Sequence, residues 1–208
     1  MPTWRGWIVL LLLLGVAGMV VLRGIYGFLA VNEPVRNGIL VVEGWSPDYV
    51  TFGAVEEYRC DGYKMICVTG GPIEFGNALR EYRTYAECGR AVLLKAGVSE
   101  DAMHAVPADP VERDRTFASA VALKRWIGQS GTVERRVNIM GNGPHARRTR
   151  LLYEKALGPE FQVGIFNVEE RTFNPKEWWK TSQGFRAVAD EAIAYAYARF
   201  AFFPAKPR

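Results

Sequence analysis

Apolar positions along this chain fall into two regimes. Residues 6–22, Gly-Trp-Ile-Val-Leu-Leu-Leu-Leu-Leu-Gly-Val-Ala-Gly-Met-Val-Val-Leu, carry no charged or strongly polar side chain, and after Arg23 the apolar character resumes through Phe28-Leu29-Ala30-Val31. A helix rises about 1.5 Å per residue and needs about 20 residues to cross a ~30 Å hydrocarbon core, so this stretch predicts a membrane span in which Arg23 snorkels or ends the span. The basic start, Met1 to Arg5, would also suit a cleaved signal peptide, but the apolar run is long and no convincing small-x-small cleavage site precedes Asn32, which favours a retained anchor. A buried helix of a soluble core would have to be apolar on every face. Arg5 and the free amino group favour an N-terminus left in the cytoplasm, which puts residues from about 35 onward on the far side of the cytoplasmic (inner) membrane. The chain thus divides into an anchor, 1–34, touching the bilayer through 6–30, and a domain, 35–208.

In the second regime short apolar runs alternate with helical patterns. Ile39-Leu40-Val41-Val42 reads as a buried strand, followed by a helix near 49–61 that Gly62 closes. Met65-Ile66-Cys67-Val68 is a second strand, and a loop through Gly76 leads to a helix from about Tyr82 to Ala96, capped by Gly97. His104-Ala105-Val106 is a third, weaker strand. The next helix takes Asp114 as its N-cap and sets Phe117, Ala120, Leu123 and Ile127 on one face. Val137-Asn138-Ile139-Met140 is a fourth strand, a helix runs from His145 to Leu157, and 161–166 is a last strand. The tail from Phe185 to Phe203 is helical and aromatic, a packing helix or an interfacial contact beside the anchor.

Apolar rather than alternating strands, separated by helices, predict an α/β fold: a mostly parallel sheet with helices on both faces, Rossmann-like and three-layered, behind one transmembrane helix. Ligands of such sheets bind beyond the C-terminal strand ends. Three loops there, 43–47, 69–76 and 141–144, are rich in Gly and Pro, which lets a ligand approach the backbone.

Composition narrows the chemistry. The chain has 208 residues, 49% hydrophobic and 23% charged, which excludes global disorder. Its net charge is +4, and two of those charges, Arg5 and Arg23, flank the anchor, so the remainder carries only +2 and is a poor candidate for a general nucleic-acid binder. Three cysteines, Cys60, Cys67 and Cys88, include no Cys-x-x-Cys pair, and two histidines, His104 and His145, cannot make a multi-histidine metal site. Nucleophile-elbow, Walker and spaced dinucleotide signatures are missing, and no cofactor is named by the sequence.

The junction Gly141-Asn142-Gly143-Pro144-His145-Ala146-Arg147-Arg148-Thr149-Arg150 is the most informative stretch. A glycine-rich turn at a helix start offers free backbone N–H groups, Gly143 among them, and His145 with Arg148, at i and i+3, can face one bound anion. From Arg135 to Lys155 six basic residues stand against one acid, Glu154, which predicts an anionic partner such as a phosphate, a carboxylate or a lipid-linked headgroup. Arg147 and Arg150 read as a solvated face. Thr69-Gly70-Gly71-Pro72 reads as a tight turn or a ligand loop, and Glu87 as a surface residue or a carboxylate aimed at the crevice. Glu43, Asp48, Asp114, Arg115 and Thr116 also lie near strand ends or helix starts.

Four elements in order carry a resemblance: Val68-Thr69-Gly70-Gly71, a helix bearing Glu87 before Gly97-Val98, Asp114-Arg115-Thr116 opening a helix, and His145-Ala146-Arg147-Arg148 after a strand. Across roughly 37–166 the chain resembles the YdcF/SanA/ElyC-like domain family. The resemblance implies a Rossmann-like domain, frequently behind one membrane helix and linked with envelope biogenesis, of poorly defined molecular activity. Carried over residue by residue, it implies ligand-binding roles for Gly70, Gly71, Thr116 and Arg148, with Glu87 and His145 as the acid/base candidates. Tyr85-Ala86 stands where the family has Ser before the glutamate, Asp114 where it usually has Arg, and Asn142-Gly143-Pro144 replaces a Thr-Ser-x-Tyr type of loop. The expectation is a membrane-anchored domain holding an anionic small molecule or headgroup, with or without turnover. The alternative is a scaffold that engages proteins through Trp178-Trp179 and the aromatic tail.

Overall fold

The computed structural model describes residues 3–60, 62–73 and 81–204. Among the described residues five strands, β1 Ile39–Glu43, β2 Met65–Gly70, β3 Met103–Pro107, β4 Arg136–Asn142 and β5 Gln162–Val168, make one all-parallel sheet in the order β3-β2-β1-β4-β5. Among the described residues six α-helices accompany them: α1 Trp4–Leu29, α2 Asp48–Cys60, α3 Tyr85–Lys95, α4 Arg115–Gln129, α5 Ala146–Leu157 and α6 Ser182–Phe200. The α/β class read from the apolar runs is the class observed.

Side chains alternate across the pleat, so each strand feeds two cores. Ile39, Val41, Cys67, Val137, Ile139 and Ile165 meet α4 and α5 through Ala120, Leu123, Ile127, Tyr153 and Leu157. Leu40, Val42, Ile66, Val68 and Met140 turn the other way, against Val50, Ala54 and Val55 of α2 and Leu93 of α3. Burial on both faces explains why the strands read as continuous apolar runs.

The chain leaves β1 toward β2 on one side and later returns to β4 on the other. The sheet therefore reverses its winding between β1 and β4, and a crevice opens beyond the C-terminal ends of those two neighbours.

Helix α1 runs without a break past Arg23, which does not end it. It is long and apolar enough to cross a membrane, and its window of highest hydropathy has no buried residue. Its last two turns belong to the domain: Leu29 is fully buried in a small core with Trp178 and Val188, joined by Leu22, Ile25, Tyr26 and Phe173. Trp178 donates its indole N–H to the Leu22 carbonyl at 3.1 Å, so half of the Trp178-Trp179 pair is spent on holding the anchor. Helix α6 starts earlier than its apolar pattern suggests, because the Thr181 side chain caps it by accepting from Gly184 N at 3.1 Å.

Candidate functional site

The crevice at the strand ends has a volume of about 780 Å³. Its wall is assembled from the turn after β1 (Trp45), the loop after β2 (Gly71, Pro72), the segment from β3 into α4 (Ala108 to Thr116), the β4–α5 junction (Asn142, Pro144, His145, Arg148), and α6 (Ala187, Asp190, Glu191, Ala194). The helical turn Gly143–His145 precedes α5 directly, with Pro144 as its second residue, and this delivers His145 and Arg148 to one side as their i, i+3 spacing requires.

These two cations do not wait for an outside anion. Arg148 Nε donates to Glu191 Oε2 at 2.7 Å and Arg148 Nη2 to Glu191 Oε1 at 2.9 Å, while His145 Nδ1 lies 2.7 Å from Glu191 Oε1. Glu191 of α6 thus gives both cations an internal anionic partner. Arg148 keeps Nη1, which makes no hydrogen bond to a described residue.

On its other side His145 meets the end of the central strand. Glu43, only 2% exposed, brings Oε2 to 3.6 Å from His145 Nε2, too long for a hydrogen bond but close enough for charge pairing. Glu43 Oε1 and His145 Nε2 are both buried and have no hydrogen-bond partner among the described residues. Trp45 packs its ring edge-on against the imidazole, centroids 5.0 Å apart, and Thr69 Oγ1 and Tyr153 OH, 2.9 Å apart, are buried close by.

Electrostatics follow from this packing. Burial works against a charged His145, but the carboxylates of Glu191 and Glu43 outweigh it and lift its pKa to about 9. Glu191 is likewise penalised by burial, yet Arg148 and His145 hold it down at about 2. The raised pKa favours the charged imidazole, whose Nδ1 faces Glu191 and whose Nε2 lies 3.6 Å from Glu43 Oε2. Burial and the nearby Glu43 charge keep the Tyr153 hydroxyl protonated, since both raise its pKa.

The other sequence candidates separate into two groups. Gly71 and Thr116 line the crevice with His145 and Arg148. Gly70 does not: a Cβ there would come within 2.7 Å of Tyr85 Cβ, so this glycine serves the close approach of α3 to β2. Gly143 sits at φ +51 with its Cα face against Glu170 and Tyr26, a packing demand rather than an open approach for a ligand. Glu87, expected as a crevice base, is not among the residues that line the crevice. Its carboxylate turns back to accept from Arg83 N at 2.9 Å and Thr84 N at 3.0 Å, while Thr84 Oγ1 accepts from Glu87 N, a complete capping box for α3. Those backbone N–H bonds hold its pKa below the usual carboxylate value.

Asp114 occupies the N-cap position of α4 but makes no side-chain capping bond. It adopts a left-handed backbone, φ 58 and ψ 38, and lines the crevice instead. Nor is the crevice basic: Asp109, Glu112, Asp114, Glu170, Asp190 and Glu191 stand against Arg113, Arg115 and Arg148. Arg147 packs its guanidinium over Phe28 of α1, 4.1 Å from the ring centroid, and Arg150 bonds Glu33 and Glu154, so the two arginines expected in solvent help fasten the anchor and its linker.

The residue missed in the sequence is Glu191. Its signal was present, an acid set among Val188, Ala192, Ala194 and Ala198 on a helix with a packing face, where a carboxylate implies a buried cation opposite. The chain matches no protein-family model and no curated protein.

Proposed function

We propose that this chain is a membrane-anchored, YdcF-like domain of cell-envelope biogenesis, standing outside the cytoplasm, whose crevice binds an oxygen-rich small molecule or lipid headgroup bearing both an anionic oxygen and hydroxyls. One observation carries the reading: the buried, unpartnered His145 Nε2 and Glu43 Oε1 lie at the point where the sheet reverses its winding. A buried donor and a buried acceptor left unsatisfied cost stability, and a ligand that accepts from one and donates to the other recovers it.

The division of labour follows from the charges. The His145 imidazolium and the free edge of Arg148 take the anionic oxygen, and the carboxylates around the crevice accept ligand hydroxyls. Any acid/base step uses Nε2–H as the acid, with Glu191 holding the ring through Nδ1 and Glu43 beside the transferring proton. The ordered likeness of the Gly71, Thr116 and His145/Arg148 elements to the family supports the same crevice. Arg5 on the short side of the span supports the outward orientation, and residues 4–29 the attachment to the bilayer.

Mass spectrometry on full-length protein purified gently from membranes, compared for wild type, His145→Gln and Glu43→Gln, tests it. A retained phosphate-bearing or glycosylated molecule lost from both variants is expected. Identical small-molecule content in all three would overturn the reading and leave the scaffold alternative.

A further inference from the structure

We infer that the segment from Pro175 to Arg186, together with Arg23, is a seat for anionic lipid headgroups, a surface separate from the crevice. The proposal rests on α1 crossing a bilayer. From Trp4 to Val21 that helix covers about 27 Å at about 1.5 Å per residue, close to a hydrocarbon thickness, so Leu22 and Arg23 fall at the boundary with the headgroups. The bond from Trp178 to the Leu22 carbonyl then pins the turn Pro175–Lys180 at that same level.

What this turn presents suits an interface. Trp179 is half-buried edge-on against Trp178, and Phe185, 6.0 Å from the Trp178 ring, is 53% exposed. In the same segment the exposed Lys176, Lys180 and Arg186 flank these rings along the chain, and the exposed Arg23 follows Leu22; the local acid is Glu177, bonded to Lys180 at 2.6 Å. Four cations and one anion leave +3 beside the span, in a chain whose total is +4. Aromatic rings at headgroup depth ringed by lysine and arginine are how proteins settle on an anionic bilayer surface. Because Arg147 packs on Phe28, six residues beyond Leu22, the seat would hold the start of α5 about 9 Å above the hydrocarbon.

The test uses the full chain in lipid nanodiscs of phosphatidylcholine, with and without phosphatidylglycerol. Cys60 and Cys88 are changed to Ser, and a nitroxide is placed either by Gln183→Cys or, as an aqueous control, by Val133→Cys, a site 84% exposed. The label at 183 should be shielded from a water-soluble relaxant and reached by oxygen, more strongly with phosphatidylglycerol. Lys176→Glu/Lys180→Glu/Arg186→Glu should abolish that lipid dependence while α1 still enters the disc. A label at 183 as wet as that at 133 overturns the proposal, and shielding indifferent to lipid charge overturns its anionic part. Failure to enter the discs would remove the span and the seat together.

Discussion

Arg148 and Glu191 form a doubly bonded pair, Nε to Oε2 at 2.7 Å and Nη2 to Oε1 at 2.9 Å, which ties the start of α5 to the middle of α6 across 43 residues of chain. His145 shares the same carboxylate, so one acid from the C-terminal helix neutralises and orients both site cations. The pair also joins the crevice to the anchor, since α6 packs against α1 through Phe28 and Tyr195.

Replacing that acid is the sharpest probe of the centre. Glu191→Gln keeps the shape but leaves Arg148 and His145 as adjacent, mostly buried cations, and removing one partner of such a pair costs about 3 kcal/mol or more. The variant should melt below the wild type, the His145 pKa measured by NMR should fall, and added sulfate should restore more stability to it than to the wild type. Equal melting temperatures would mean that the pair contributes nothing.

The same groups set a pH dependence with a definite sign. His145 has its pKa raised from 6.5 to about 9 in the folded state, so its contribution is complete below about 6.5 and disappears as pH rises through about 9. At about 1.4 kcal/mol per pKa unit this amounts to about 3 kcal/mol. Glu191, lowered from 4.5 to about 2, contributes fully above about 4.5 and stops contributing as pH falls through about 2. Denaturant midpoints should therefore be highest between about pH 4.5 and 6.5 and decline toward pH 9, and in His145→Gln the alkaline decline should flatten.

The fold was legible because burial on both sheet faces leaves its mark in every strand, and because Gly62 and Gly97 punctuate the helices where the chain turns left-handed. The site was legible only in part. His145 and Arg148 stand three residues apart, so a local pattern reveals them, whereas Glu43 and Glu191 reach them from 102 and 46 residues away in sequence, a pairing that only the folded topology creates. Glu87 shows the converse: Thr84 and Glu87 stand at the spacing of a capping box, a local pattern that reports the start of α3.

That correction can be measured. With its carboxylate spent on Arg83 N and Thr84 N, Glu87→Ala should lower stability by about 1 kcal/mol through the lost cap and leave ligand retention as in the wild type. Loss of the retained molecule with unchanged stability would return Glu87 to the crevice.

The docking of α1 changes what truncation should do. A chain cut at Asn32 loses Leu22, Ile25, Tyr26, Phe28 and Leu29, which uncovers Trp178 and Val188, strips Arg147 of its aromatic partner and leaves an apolar trough along α6. Exposed contiguous apolar surface of this kind drives association. A chain beginning at Arg23 keeps all of these but Leu22, and sheds the exposed apolar stretch 4–21. The longer fragment should be monomeric by analytical ultracentrifugation and unfold cooperatively, whereas the shorter one should associate and melt lower. The full chain should resist carbonate extraction from membranes. Equal behaviour of the two fragments would mean that the last two turns of α1 are a tether and not part of the domain, and the shared path from Phe28 through Arg147 to the site would lose its structural basis.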